Sequence, residues 1–411
     1  MKTRLTAAFL LMSCLCANAQ APTARVWTNQ QGRTVNATFV EAAGVNVVLQ
    51  LENGTKTTVH LGTLSGADQD YLKKIQVAKP TAGGTTNPVS NSGALEWPKE
   101  VLSIDTKSIV VAEGQQDAAS RRYHYHTGNF EFIATAPLAN SVMAEVAADF
   151  LLTEKFFLSQ CWNWTPKPKK GDRFTVYLAE TPEDFIAMGG SDRDSADIIE
   201  DNSSLIRFSA LGLKKVGARY QYDAKAKEPG RVTSIVAYGM LQDVSGWLHP
   251  WTLQGMSNFL KFVAYQNNGT VRLTELESPL KKAVKELMET NKVKLDLQRL
   301  LMYMHTDFKA VRGDVQQFKL EQQIDCFLLV YFFGFLDGDG TGQALHQYYR
   351  NIFARSKRAR DPQKAESMLA EQGMDKASPE DILTKLLAGR DDGRLGAEMT
   401  EKFKKIGIRF N

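Results

Sequence analysis

Alternation of apolar and polar positions dominates the first part of this 411-residue chain, and helical spacing dominates the last. Val35-Asn-Ala-Thr-Phe-Val40 alternates like a half-buried strand. Val45–Leu51 and Lys56–Leu61 flank Asn53-Gly54, a pair suited to the positive φ angles of a tight hairpin turn, so they predict a β-hairpin. Leu64-Ser-x-x-Asp-x-x-Tyr-Leu72 predicts a short closing helix with Ser65 as its N-cap. Together, residues 24–75 read as a small all-β unit. Residues 76–96, rich in Gly, Pro, Ser and Thr, read as a flexible tether.

Beyond Trp97 the pattern predicts a larger α+β domain, residues 97–411. Strands are expected around a turn in Arg122–Ile133, at Arg173–Ala179 and at Ser204–Ser209. Val142, Val146, Ala147, Phe150, Leu151, Phe156 and Phe157 fall at helical spacing. Helix starts are expected at Pro182, with acids in its first turn, at Ser278-Pro279 and at Ser378-Pro379. A helix pair is expected over 231–246 and 252–264. Phe327–Leu336 reads as a ten-residue core helix bounded by Asp325 and Asp337.

Composition adds targeting and compartment. Lys2 and Arg4, the apolar run Leu5–Cys16 and Ala17-Asn-Ala19 have the layout of a cleaved signal peptide over residues 1–19. Such a leader implies a periplasmic or extracellular protein. Leu11-Met-Ser-Cys14 leaves a lipoprotein reading open. The leader takes Cys14 and Cys16 with it, and Cys161 and Cys326 remain either as a disulfide or as buried thiols. No later run approaches the ~20 apolar residues of a membrane span. A formal charge of +4 is too small to argue for a nucleic-acid partner. The short basic runs Lys167–Lys170 and Lys357–Arg360 read as solvated faces.

Two resemblances organise these elements. The marks R-x-W-T, G-R-x-x-x-A-x-F-V, N-G-x-x-x-x-V-x-L and L-S-x-x-D-x-x-Y-L make residues 24–75 resemble the Sla-type homology domain, an SH3-like barrel. That likeness implies a module of the peptide-binding type, although in secreted bacterial proteins it recurs as an accessory module. Asn129-Phe-Glu-Phe132, V-Y-L-x-x-T-x-x-D-F from Val176 to Phe185, the helix pair and Leu336–Gly342 resemble the gluzincin, or peptidase MA-like, domains of secreted bacterial proteins.

In that family one helix carries H-E-x-x-H, two imidazoles facing one zinc with a Glu general base between them. The next helix, entered through a P-x-W-L-x-E-G-like turn, adds a carboxylate. Laid on this pattern, Tyr238 and Gln242 stand where the histidines belong. Gly239 replaces the base and Gln254 the third ligand. A phenol with an ordinary pKa near 10 and a neutral amide are poor zinc ligands, and glycine offers no base. The resemblance therefore implies a non-catalytic scaffold that needs no cofactor and binds a protein or peptide. An unorthodox hydrolase is the alternative, with His124, His126 or Glu131 brought against the helices. His249 reads as a loop residue. Asp337-Gly-Asp-Gly-Thr-Gly342 matches half a calcium loop, but Tyr348 stands where the bidentate Glu belongs, so a turn between helices is expected.

Overall fold

The alternating runs near the N-terminus become β1 (Arg25–Thr28), β2 (Thr34–Ala43), β3 (Asn46–Leu51) and β4 (Lys56–His60), a four-stranded antiparallel meander followed by α1 (Gly66–Ala78). The structure is a computed structural model and describes residues 24–29, 32–43, 46–51, 53–60, 63–78, 95–266, 269–305 and 320–410. The expected leader (1–19, with Cys14) and residues 79–94 of the expected tether lie outside the described residues. α1 runs to Ala78, so the first three positions read as tether are helical.

Trp27, Phe39, Val47, Leu49, Leu64 and Leu72 form the core of this first unit. The Trp27 indole N–H donates to the Ala37 carbonyl at 2.9 Å. Ser65 caps α1, accepting from the Asp68 N–H. Asp68, 2% exposed, in turn accepts from the Thr28 N–H and the Ser65 hydroxyl and pairs with Arg25. The Arg25 guanidinium lies 3.8 Å over the Tyr71 ring, a cation–π contact that ties β1 to α1.

The chain divides into two compact units at Ser90/Asn91. The second unit is α+β. A short strand β5 (Leu102–Ser103) precedes its main sheet. That sheet contains β6 (Ala112–Asp117), β7 (Arg122–Thr127), β8 (Phe130–Ala134), β9 (Phe174–Ala179), β10 (Ala196–Ile198) and β11 (Ser204–Arg207), in the spatial order β10-β11-β9-β8-β7-β6. Only β8–β9 and β9–β11 pair in parallel; the edges are antiparallel. The 20-residue α2 (Asn140–Ser159) crosses between β8 and β9 and covers one face, with Phe150 packed 5.5 Å from Phe130 and 5.0 Å from Phe132. Period-2 alternation then sends Glu131, Ile133, Thr175 and Tyr177 to the other face. α3 (Pro182–Ala187) follows β9 with the Pro start and a full capping box between Thr181 and Asp184.

The hairpin β12 (Leu213–Val216) and β13 (Arg219–Tyr222) leads to the helix pair α4 (Arg231–Leu241) and α5 (Pro250–Phe259). Both are shorter than expected. α4 tightens into a 3₁₀ turn at Gln242–Val244, and α5 passes into a π turn at Leu260–Ala264. The strands β14 (Tyr265–Gln266) and β15 (Thr270–Val271) then pair with β5. Helices α6 (Glu277–Asn291), α7 (Leu297–Met304), α8 (Leu320–Tyr331), α9 (Gln343–Arg355), α10 (Pro362–Glu371), α11 (Pro379–Leu387) and α12 (Asp392–Lys405) complete the unit.

Gly255 on α5 decides how closely α5 meets α8. A Cβ there would stand 2.3 Å from the Cys326 carbonyl oxygen and 2.8 Å from Val330. The glycine of the W-T-L-Q-G segment is thus a packing requirement whatever its ancestry.

One expectation is overturned, one open choice is narrowed and one residue is more buried than a loop position suggests. Asp325 does not bound a helix: α8 starts at Leu320, and Asp325 lies inside it, fully buried and paired with Arg299 of α7. Cys161 and Cys326 are both free thiols. Burial pushes Cys161 up to about 11 and Cys326 well above its ordinary value, so neither supplies a thiolate at neutral pH. His249 precedes α5 as expected but is 5% exposed, its Nδ1 3.0 Å from the Tyr348 hydroxyl.

His249 and His346 are buried as neutral rings, held down to about 4 and about 3 chiefly by desolvation. His346 Nδ1 accepts a 2.8 Å hydrogen bond from the Trp162 indole, which protonation at that nitrogen would break. Their folded pKa values lie below the unfolded value of 6.5, so unfolding takes up protons. Their stability contribution is complete above pH 6.5 and is lost as pH falls toward the folded values. Between pH 6.5 and 5.5 the loss is about 1 kcal/mol per ring. Urea midpoints measured across that window are expected to fall with acid, and to fall less steeply in His249→Gln.

Candidate functional site

A cleft of about 400 Å³ opens on the sheet face that α2 leaves uncovered. Its floor is made by His124, Glu131, Ile133, Thr175 and Tyr177 from β7, β8 and β9. Its rim is the Lys167–Arg173 segment leading into β9, and its inner wall is Asn202, Ser203, Gly239 and Asp243. Sheet register explains the floor: His124 pairs with Ile133, Ile133 with Tyr177, and Glu131 with Thr175. Alternate residues on adjacent strands therefore line one surface.

α4 reaches the cleft because Gly230, at φ +66°, starts it within contact of the π turn; a Cβ there would lie 2.5 Å from the Lys261 carbonyl oxygen. Gly239 meets the edge strand β10, where a Cβ would stand 3.2 Å from Ile198. One helical turn on, Asp243 shares its face. The Asp243 side chain is 8% exposed; Arg358 binds Oδ1 at 2.8 Å, while Oδ2 has no hydrogen-bond partner. Burial raises its pKa against the pull of Arg358.

The structure joins some expected site residues and separates others. His124 Nδ1 and Glu131 Oε1 lie 3.0 Å apart on the cleft floor, near Gly239 of α4. His126 shares the His124 face of β7, but its Nδ1 is buried without a partner and it does not line the cleft. Tyr238 on α4 and Gln242, its C-terminal cap, are half-buried and one turn apart, and neither is among the residues lining this cleft. Burial pushes the Tyr238 phenol up to about 12, with the Gln242 amide pulling the other way, so it stays protonated at neutral pH. Gln254, half-buried on α5, is not among the residues lining this cleft. Among the described residues, no three of His, Cys, Asp and Glu gather as a metal would need.

The Asp337–Gly342 loop is already tied down by protein groups. Arg390 binds both Asp337 oxygens, at 2.6 and 2.9 Å, and Asp339 accepts from the Thr341 N–H and hydroxyl. Gly342 has φ +76° and no room for a Cβ beside the Gly334 carbonyl and Trp97. Its geometry is that of a turn between the π turn Phe332–Leu336 and α9, as expected.

The basic runs are exposed, as solvated faces should be, and several of their members also meet the fold. Lys167, Lys169, Lys170 and Arg173 border the cleft. Arg358 holds Asp243, and Arg360 donates to the Trp164 carbonyl at 2.8 Å. The signal was available: Lys167-Pro-Lys-Lys170 stands just before a strand whose alternate residues share a face with Glu131 and Ile133.

No helix among the described residues is long and apolar enough to cross a membrane. Compared with known proteins, the chain matches no protein-family model, no curated protein and no solved structure.

Proposed function

We propose that this chain is an extracytoplasmic, non-catalytic binding protein. In this reading an SH3-like module is tethered to a metallopeptidase-like domain that keeps a cleft and lacks its zinc ligands and general base. The observation that carries it is the chemistry of α4. At the positions where the resemblance places two imidazoles and a carboxylate, the helix offers a phenol held protonated by burial, a neutral amide and a glycine packed against Ile198. None of these polarises a carbonyl or activates water near pH 7. The four-stranded meander with its closing helix, and the leader-like N-terminus, agree with the modular extracytoplasmic layout.

One observation favours an unorthodox hydrolase as a second reading: the His124–Glu131 pair lies on the floor of the cleft that Gly239 borders. A carboxylate that orients an imidazole is a recurrent general-base arrangement. Here it has no nucleophile or oxyanion donor assigned to it, so binding is the stronger reading. Purified full-length protein is expected to carry no stoichiometric zinc by elemental analysis and to leave a mixed peptide library uncut by mass spectrometry. Zinc near one equivalent, or cleavage lost in His124→Ala, would replace the binding reading with the hydrolytic one.

A further inference from the structure

We propose that the cleft bordered by Lys167–Arg173 binds an acidic peptide segment in extended form. This deepens the binding reading above and rests on it for the peptide character of the ligand.

The first support is unspent positive charge. Elsewhere in this unit the cations near carboxylates are engaged: Arg121 with Glu180 and Asp184, Lys227 with Asp149, Arg299 with Asp325, Arg390 with Asp337 and Glu398. Lys167, Lys169 and Arg173 are exposed on the cleft rim and make no ion pair with any described residue. The carboxylates lining the cleft offset this charge only in part: Asp243 is already held by Arg358, with Lys167 acting on it from further off, and Glu131 is one negative charge against three cations. The cleft thus presents a net positive field to its contents, and its concave walls focus that field.

Spacing is the second support. Lys167 and Lys169 flank Pro168, whose fixed φ favours extended backbone around it. Successive residues of such a segment advance by roughly 3 Å, so the charges are spread along the rim. Distributed charge matches carboxylates repeated along a chain better than one compact anion.

The apolar lining decides between polymers. Phe174 packs 5.6 Å from Phe130, and Tyr177 joins the cluster of Ala179, Phe185 and Leu205. Both rings are engaged within the fold and are poorly placed as open platforms for sugar rings. Ile133, Pro168 and the partly buried edges of these rings can instead accept the methylenes of Glu side chains. Asn202, Ser203 and Thr175 add polar groups able to meet a peptide backbone.

The test uses full-length protein and fluorescein-labelled octa-glutamate, read by anisotropy at fixed low salt. Binding is expected, with affinity falling as salt rises, and the triple variant Lys167→Glu/Lys169→Glu/Arg173→Glu is expected to weaken it at least tenfold. All three side chains are exposed, so the melting temperature should not move. Lys282→Glu/Lys285→Glu, the same kind of charge reversal on exposed α6, is the control and is expected to leave the affinity unchanged. Equal weakening by the control, or no binding of octa-glutamate, would overturn the proposal. So would binding of oligogalacturonate through the same three cations in preference to the peptide. Mass spectrometry of the bound peptide separates the two readings. Intact peptide supports both, whereas cleaved peptide removes the non-catalytic reading and leaves the site. Absence of binding removes the site and leaves the zinc assay to judge the function.

Discussion

Arg299→Ala is expected to destabilise the second unit by about 3–5 kcal/mol, the usual effect of stranding one member of a buried ion pair. Asp325 is fully buried in α8, and Arg299 reaches it from α7 through Nε and Nη2, keeping 18% of its own side chain exposed. Burial has already pushed the Asp325 carboxyl up to about 6 despite this partner, so the ionised form is held at a cost. Removing Arg299 leaves the carboxylate either charged in an apolar setting or forced to take a proton at neutral pH.

The pair is asymmetric, and that sharpens the test. Asp325→Asn removes the buried charge and frees an arginine that can turn toward water, so a loss of only about 1 kcal/mol is expected. The pH dependence has a definite sign. A folded pKa raised above the unfolded ~3.9 gives Asp325 a contribution that is present in acid and lost as pH rises through 6. The deficit of Arg299→Ala should therefore be largest near pH 8 and shrink toward pH 5. Urea unfolding at the two pH values for wild type and both variants measures all of this. Equal losses in the two variants, or a deficit that grows in acid, would show the pair to be an ordinary surface contact.

Asp325 also illustrates where sequence reading stops. A charged residue beside the apolar run Phe327–Leu336 looked like a boundary, because one-dimensional patterning cannot show that an arginine 26 positions away will neutralise it. By contrast, Thr181-Pro182 and Ser378-Pro379 were legible because caps are local chemistry, and both form full capping boxes. β6 escaped notice since A-E-G-Q-Q-D has little intrinsic strand preference. It forms by pairing with β7, with a register shift between Glu113 and Gln116. The cleft is long-range in the same sense. Its floor follows from alternation within β8 and β9, but joining that floor to Gly239 and to the Lys167–Arg173 rim requires the sheet order and the approach of α4 to β10.

If the proposed metallopeptidase-like reading holds, placing zinc ligands at Tyr238, Gln242 and Gln254 should create a metal site. In Tyr238→His/Gln242→His/Gln254→Glu, two imidazoles stand at i and i+4, one on α4 and one at its C-terminal cap, the spacing that lets both face one ion, and α5 supplies the carboxylate. Such a site is expected to hold zinc at about one equivalent with micromolar or tighter affinity, a gain on the order of 8 kcal/mol over no site. Replacing the half-buried phenol of Tyr238 will itself lose some packing, so the variant should melt lower without zinc and recover on adding it, as linkage requires. Gly239 is left alone in this first variant because a new Cβ must displace Ile198, 3.2 Å away. Adding Gly239→Glu afterwards asks a separate question. Ile198 Cδ1 is the far end of a flexible side chain, and leaving glycine behind in a helix recovers up to about 1 kcal/mol, so the substitution should be tolerated. If α4 and α5 descend from a zinc-binding pair, the triple variant binds zinc, and the quadruple variant alone gains slow peptide hydrolysis. A folded triple variant that takes up no zinc would mean that Gln254 and the α4 pair do not converge, and the metallopeptidase-like reading of this domain would fall with it.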